Sequence, residues 1–233
     1  MSKKLMLVMD VETAGGLDEK IVYDLGFAVV AKDGKILEEY SFIIEEVFND
    51  SALMNSAYYA EKVPSYLREI EQGLHKVVPF KVALDTLREV IARYDLKIVS
   101  AYNLAFDLDA IWKTSKRLLG YNYGFKGMTR LCIWSYACEV LFTQKTYQKM
   151  AMQQGWLSEA GNLKTSAEMA YRYIRVNPSF VEEHKGLADV RIEAEILSRC
   201  IRQKKKHKSG LLSNPWRIPN TKELKMARTP VLA

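Results

Sequence analysis

The sequence predicts an α/β protein, and three observations carry that reading. Residues 5–9, 21–31 and 36–47 are apolar or β-branched runs of strand length, with the hairpin signal Asp33-Gly34 between the last two. Beyond residue 48 the apolar residues change to helical spacing. Within that helical part a short strand, Lys97 to Ala101, is set between two helices. Hairpin-joined strands followed by helix, strand and helix make a sheet with helices packed against it.

Leu5-Met6-Leu7-Val8-Met9 is apolar at every position, as a central strand covered on both faces would be. It ends in Asp10-Val11-Glu12-Thr13. Alternate strand residues share a face, so Asp10 and Glu12 point the same way. Two carboxylates so placed repel unless a cation lies between them. A solvated strand end is the ordinary reading; the buried run before the pair favours half of a metal cage. Thr13 to Asp18 reads as a turn, and neither GxxxxGK nor GxGxxG is present to make it a phosphate loop.

In residues 48–75, Leu53, Met54, Tyr58, Tyr59, Tyr66, Leu67 and Ile70 fall at helix-like spacing, and Pro64 starts a helix. Tyrosines in that pattern pack in cores more often than they stack on bases. Phe80, Ala83, Leu84, Leu87, Val90 and Ile91 mark a clearer amphipathic helix. After the strand at 97–101, a helix runs from Asn103 to Leu119. Asn103 suits its N-cap, and Asp107 lies four residues on, on the same side. Both have routine readings, as a cap and as an acid favoured by the helix dipole. Asp109 points elsewhere and reads as solvated. Residues 128–142 hold a short strand and a helix, and Thr165 to Ile174 another helix, stopped by Asn177-Pro178. In Glu182-Glu183-His184-Lys185-Gly186-Leu187-Ala188-Asp189, His184 precedes a helix and Asp189 sits in its first turn. By themselves these are polar surface and a dipole partner. His75 and His207 have no carboxylate pattern around them and receive no role.

An apolar fraction of 48% and a charged fraction of 27% describe a globular, water-soluble chain. No run of about 18 apolar residues is present, so no membrane helix is expected. The start, Met-Ser-Lys-Lys and a run broken at Asp10, is too short for a signal peptide. Cys132, Cys138 and Cys200 form no CxxC pair, which favours free thiols and a cytoplasmic location over a disulfide framework or zinc site. From Arg202 onward nine Lys and Arg face one acid, Glu223, so this tail carries +8 of a net +6 and residues 1–201 carry −2. Residues 1–201 therefore read as the domain and 202–233 as a basic tail. Most such tails are solvated; Leu211, Leu212, Trp216 and Ile218 offer this one a means of docking, and its charge a means of holding nucleic acid.

Three stretches taken together resemble a known family, the DEDD 3′→5′ exonucleases of the histidine subtype, which include the proofreading exonucleases of DNA polymerases. Met9-Asp10-Val11-Glu12-Thr13 matches the strand ending Asp-x-Glu-Thr. Asn103-Leu104-Ala105-Phe106-Asp107 matches Asn-x-x-Phe-Asp after a small strand. His184-Lys185-Gly186-Leu187-Ala188-Asp189 matches His-x-x-x-x-Asp opening a helix. Each motif is weak alone; three in order across residues 5–201 are specific. The tyrosine subtype needs Tyr four residues before the last Asp, where this chain has Lys185. Many relatives carry an acid directly before that Asp, where this chain has Ala188. Residues 48–75 do not follow the usual insert.

The resemblance implies an RNase H-like fold, a mixed sheet of about five strands flanked by helices. It implies two Mg²⁺ or Mn²⁺ ions held by Asp10, Glu12, Asp107 and Asp189, with Asp10 bridging them, and His184 as general base. Thr13 would meet the terminal nucleotide through its backbone, and Asn103 would order the second motif's corner beside the substrate. The implied partners are 3′ ends of single-stranded DNA or RNA and a polymerase or other replication protein. The rival functions are an exoribonuclease with the same site and a non-catalytic nucleic-acid- or polymerase-binding module, which would have no need of four acids and a histidine.

Overall fold

The structure, a computed structural model, describes residues 4–16, 18–205, 207, 211–223 and 225. Its elements are β1 (Leu5–Ala14), β2 (Ile21–Ala31), β3 (Ile36–Ile44), α1 (Glu45–Phe48), α2 (Ser51–Met54), a 3-10 turn (Ala60–Lys62), α3 (Val63–Glu71), β4 (Lys76–Val78), α4 (Phe80–Arg93), β5 (Ile98–Ala101), α5 (Leu104–Leu119), β6 (Thr129–Cys132), α6 (Ile133–Val140), α7 (Lys145–Gln153), α8 (Ala167–Arg175), α9 (Gly186–Arg202) and a second 3-10 turn (Pro215–Asn220). The six strands lie in the order β4-β3-β2-β1-β5-β6. β1, β2 and β3 pair antiparallel, and the remaining neighbours pair parallel. This is the expected α/β architecture, a mixed sheet flanked by helices.

The sheet has one strand more than the expected five. β4 is three residues long and pairs with β3 at an edge, too short to carry a periodic signal. His75, just before it, has a structural task that the sequence reading denied it. Its Nδ1 meets Ser41 Oγ on β3 at 2.6 Å and its Nε2 meets Glu69 at 2.8 Å. His207 is likewise paired with a carboxylate, Glu139, at 2.9 Å. Ser41 and Glu139 are brought to these histidines by the fold, 34 and 68 residues away in the chain, whereas Glu69 is six residues from His75.

Alternation along β1 sorts the core. Leu7, Met9 and Val11 pack with Leu84 of α4 and Ile111 of α5, whereas Met6 and Val8 pack with Ile133 of α6 and Leu197 of α9. β2 is buried at every residue. Helices therefore cover both faces, as the unbroken apolar character of β1 implies. The Asp33-Gly34 hairpin forms as expected, with Gly34 at φ +88. Pro64 stands in the first turn of α3. All three cysteines are free and buried. Among the described residues no helix is long and apolar enough to cross a membrane.

One close approach sets the position of α9. A Cβ on Gly26 would lie 2.2 Å from the carbonyl carbon of Gly186, so only glycine lets the start of α9 press against β2. Two residues earlier, buried Asp24 accepts hydrogen bonds from the Gly186 N–H (2.9 Å) and the Tyr66 hydroxyl (2.7 Å). The segment bearing His184 and Asp189 is thus clamped to the sheet.

The tail begins at the far end of α9, about 20 Å along the axis from Asp189 at 1.5 Å per residue. Its second 3-10 turn docks on the body. Asn220 is buried, its Oδ1 accepting from the Leu163 N–H (2.8 Å) and its Nδ2 donating to the Leu163 carbonyl (3.3 Å). Leu211 and Ile218 pack against the two cores, while Leu212 stays exposed. Lys206, Lys208 and residues 226–233, part of the basic run read from the sequence, lie outside the described residues. Asn220→Ala removes both bonds from a buried backbone pair, and a loss of about 1–3 kcal/mol is expected for stranding them. Denaturant melts of the two proteins measure it; equal midpoints would mean that water replaces the amide.

Candidate active site

The C-terminal ends of β1 and β5, which run parallel, converge with the first turns of α5 and α9. β1 brings Asp10 and Glu12, α5 brings Asp107, and α9 brings Asp189. All four line one cleft of about 630 Å³, together with His184, Glu193, Thr13 and Asn103. Every sequence-predicted site residue is therefore at this cleft, and the pairing of Asp10 with Glu12 on one side of β1 holds.

Asp107 and Asp189 are 3% and 4% exposed. The backbone of Val11 at the end of β1 acts on the Asp107 carboxylate and favours its charged form. Asn103 occupies the N-cap position of α5, but its side chain makes no capping hydrogen bond. Asn103 is exposed and lines the cleft. Asp109 is not merely solvated: it pairs with Lys20 at 3.0 Å and Lys113 at 2.9 Å. Lys20 also sits over the Phe106 ring, 4.8 Å from its centroid.

His184 lies in the left-handed region at φ +51, just before α9. Its Nδ1 is 3.9 Å from Glu182 and 4.0 Å from Asp189, beyond hydrogen-bond reach. Its ring stacks on Tyr59 at 4.6 Å and 13°, and Lys62 covers the Tyr59 ring at 4.1 Å while bonding the Glu183 carbonyl. The tyrosines of residues 48–75 thus divide. Tyr66 is core, fully buried with its hydroxyl on Asp24, whereas Tyr58 and Tyr59 line the cleft and Tyr58 is 83% exposed.

Burial and mutual repulsion disfavour charge throughout the cluster. Burial, then Glu193 and the other three acids, raises Asp10 well above the usual carboxylate range. Burial, then Asp24 and Asp189, pushes Glu12 up to about 9. Burial and Glu182 push Asp189 up to about 8, and burial raises Asp107 to about 7 against two backbone hydrogen bonds. Burial and the Lys62 charge lower His184 below its ordinary value. Asp10 Oδ2 and Asp189 Oδ1 are buried without a hydrogen-bond partner. Ligand atoms of Glu12, His184 and Asp189 lie within 4.8 Å of one another. Oxygen-rich donors with stranded lone pairs suit a hard divalent cation, so the residues fit the expected metal.

No family model and no curated protein matches the chain. One solved structure similar to it is Exonuclease X in complex with 5′ overhanging duplex DNA. The TM-score is 0.45 at 17% identity, over 88% of this chain and 97% of that one. A likeness this loose leaves the site's own chemistry to carry the functional argument.

Three cleft residues escaped the sequence reading, Glu193, Glu182 and Tyr59 as a partner of His184, and so did Lys62, which covers the Tyr59 ring. Glu193 had a detectable signal, four residues after Asp189 on a helix. The other three meet the site only through loops.

The raised carboxyls make a stability prediction. A folded-state value above the unfolded one contributes stability that is present below the unfolded value and lost as pH rises through the folded value. In EDTA the melting temperature should fall between the ordinary carboxylate range and pH 9, as Asp107, Asp189 and Glu12 ionise. Saturating Mg²⁺ should flatten that fall. Thermal melts across pH 5–9 test it, and an identical slope with and without metal would remove the metal from the account.

Proposed function

We propose that this protein is a metal-dependent 3′→5′ exonuclease. It hydrolyses the phosphodiester bond at the 3′ end of single-stranded nucleic acid and releases nucleoside 5′-monophosphates. One observation carries the reading: Asp10, Glu12, Asp107 and Asp189 meet in a single cleft beside His184, with buried oxygens that find no donor.

Asp10, Glu12, Asp107 and Asp189 would hold two Mg²⁺ or Mn²⁺ ions. Such ions supply a nucleophilic water at neutral pH and offset charge on the attacking and leaving oxygens. The rest falls to the chain. His184, kept neutral near pH 7 by burial and Lys62, accepts the proton of the attacking water on its imidazole. Tyr59, stacked on the ring, holds its plane. The Asp24 clamp on Gly186 fixes the segment between His184 and Asp189. Thr13 and Asn103 border the cleft, placed to meet the terminal nucleotide. Exposed Tyr58 offers a face for a base.

The test is end-labelled single-stranded DNA and RNA with Mg²⁺, Mn²⁺ or EDTA. Mononucleotides should leave a free 3′ end, EDTA should stop the reaction, and a 3′ block should protect the strand. Cutting of circular single strands would show an endonuclease instead. Comparing DNA with RNA settles which strand is preferred, since recognition of the 2′-hydroxyl rests on local contacts.

A further inference from the structure

The four acids of the sequence motifs are joined by a fifth. Glu193 lies on α9, one turn beyond Asp189 and on the same face, is 2% exposed, and lines the cleft. The backbone of Tyr102, at the corner between β5 and α5, acts on the Glu193 carboxylate in favour of the charged form. Its Oε2 is buried and has no hydrogen-bond partner. An unpaired carboxylate oxygen away from water is costly, and the usual remedy is a facing lysine or arginine. The charged groups that act on Glu193 are acids instead, Asp107, Asp189 and Glu182, and Glu193 is the leading charged influence on Asp10. A glutamine of the same shape would bring no such repulsion, so packing at this corner does not account for a carboxylate.

Asp10, Asp189 and Glu193 line one cleft, and each has a buried carboxylate oxygen with no hydrogen-bond partner. We propose that Glu193 is a fifth acidic ligand of the divalent-cation site, beyond the group of Glu12, His184 and Asp189 whose ligand atoms lie within 4.8 Å of one another. The inference rests on the metal-dependent reading above and adds a donor to it. Five carboxylates against two divalent ions leave the loaded site with one surplus negative charge. That surplus raises affinity for the ions and must be overcome by the incoming phosphate.

The test is calorimetric titration of Mn²⁺ into the full-length metal-free protein, with the free ion followed by electron paramagnetic resonance. Wild type should bind two ions. Glu193→Gln keeps the shape, and should weaken at least one ion by about tenfold or more, the loss usual even for an outer partner of a ligand. Its metal-free melting temperature at pH 8 should exceed that of wild type, and its gain from saturating Mn²⁺ should be smaller. Should the amide variant not fold, Glu193→Asp, which withdraws the charge by one methylene, should show the same weakening. A variant that binds two ions as wild type does would overturn the fifth ligand and leave the four-acid site standing. Wild-type protein that binds no Mn²⁺ would overturn both.

Discussion

Asp10→Asn protein is expected to fold and to have lost the proposed hydrolysis of nucleic acid. Asp10 stands at the centre of the cleft, where Glu12, Asp107, Asp189 and Glu193 all raise it. Several kcal/mol of transition-state stabilisation depend on the ions it would hold, which is a rate loss on the order of 10³-fold or more. The amide has nearly the same shape, so packing at the end of β1 survives. Removing one negative group from a crowd of five also relieves repulsion, so the metal-free variant should melt at or above the wild-type temperature at pH 8. Activity assays and melts on one preparation decide the matter. A folded Asp10→Asn enzyme with full activity would sink the assignment, whereas an unfolded one would assign Asp10 to the fold.

His184→Ala gives the second large effect. A positioned general base contributes about 10²–10⁴-fold, and the variant should lose that much at saturating metal. Hydroxide should restore part of the rate as pH rises. Wild type should lose activity on the acid side, because only neutral imidazole accepts the proton, and the midpoint should fall below the ordinary histidine value that burial and Lys62 depress. The group formed by Glu12, His184 and Asp189 permits another role. If the variant instead binds metal weakly and recovers its rate at high metal, His184 is a ligand and not the base.

Local sequence was informative wherever a period or a turn carried the signal. The continuous apolar run of β1, the Asp33-Gly34 hairpin and the spacing of α4, α5 and α9 follow from side-chain direction along a strand or helix. The Asp10–Glu12 pair, the Asn103–Asp107 step and the His184–Asp189 step are local in the same sense. Each places its groups on one face or at one helix start, whatever the remainder of the chain does. The α/β class and the motif residues at the cleft were legible for that reason.

What joined them was long-range. β1 ends beside β5 because the two pair in parallel, and α9 reaches β2 and β1 because Gly26 and Gly186 leave no Cβ between them. No local period reports such an approach. Glu193 and Glu195 look alike in sequence, two acids on one helix, yet one is buried against the site and the other pairs with Arg175 at its surface. Tyr59 and Tyr66 look alike too, and only packing sends one to His184 and the other to Asp24. Side-chain direction along the chain is a property of neighbouring residues, so the sequence by itself determined which residues could carry the chemistry. Burial and the company a carboxylate keeps depend on elements as much as 180 residues apart, and those only the tertiary structure decided.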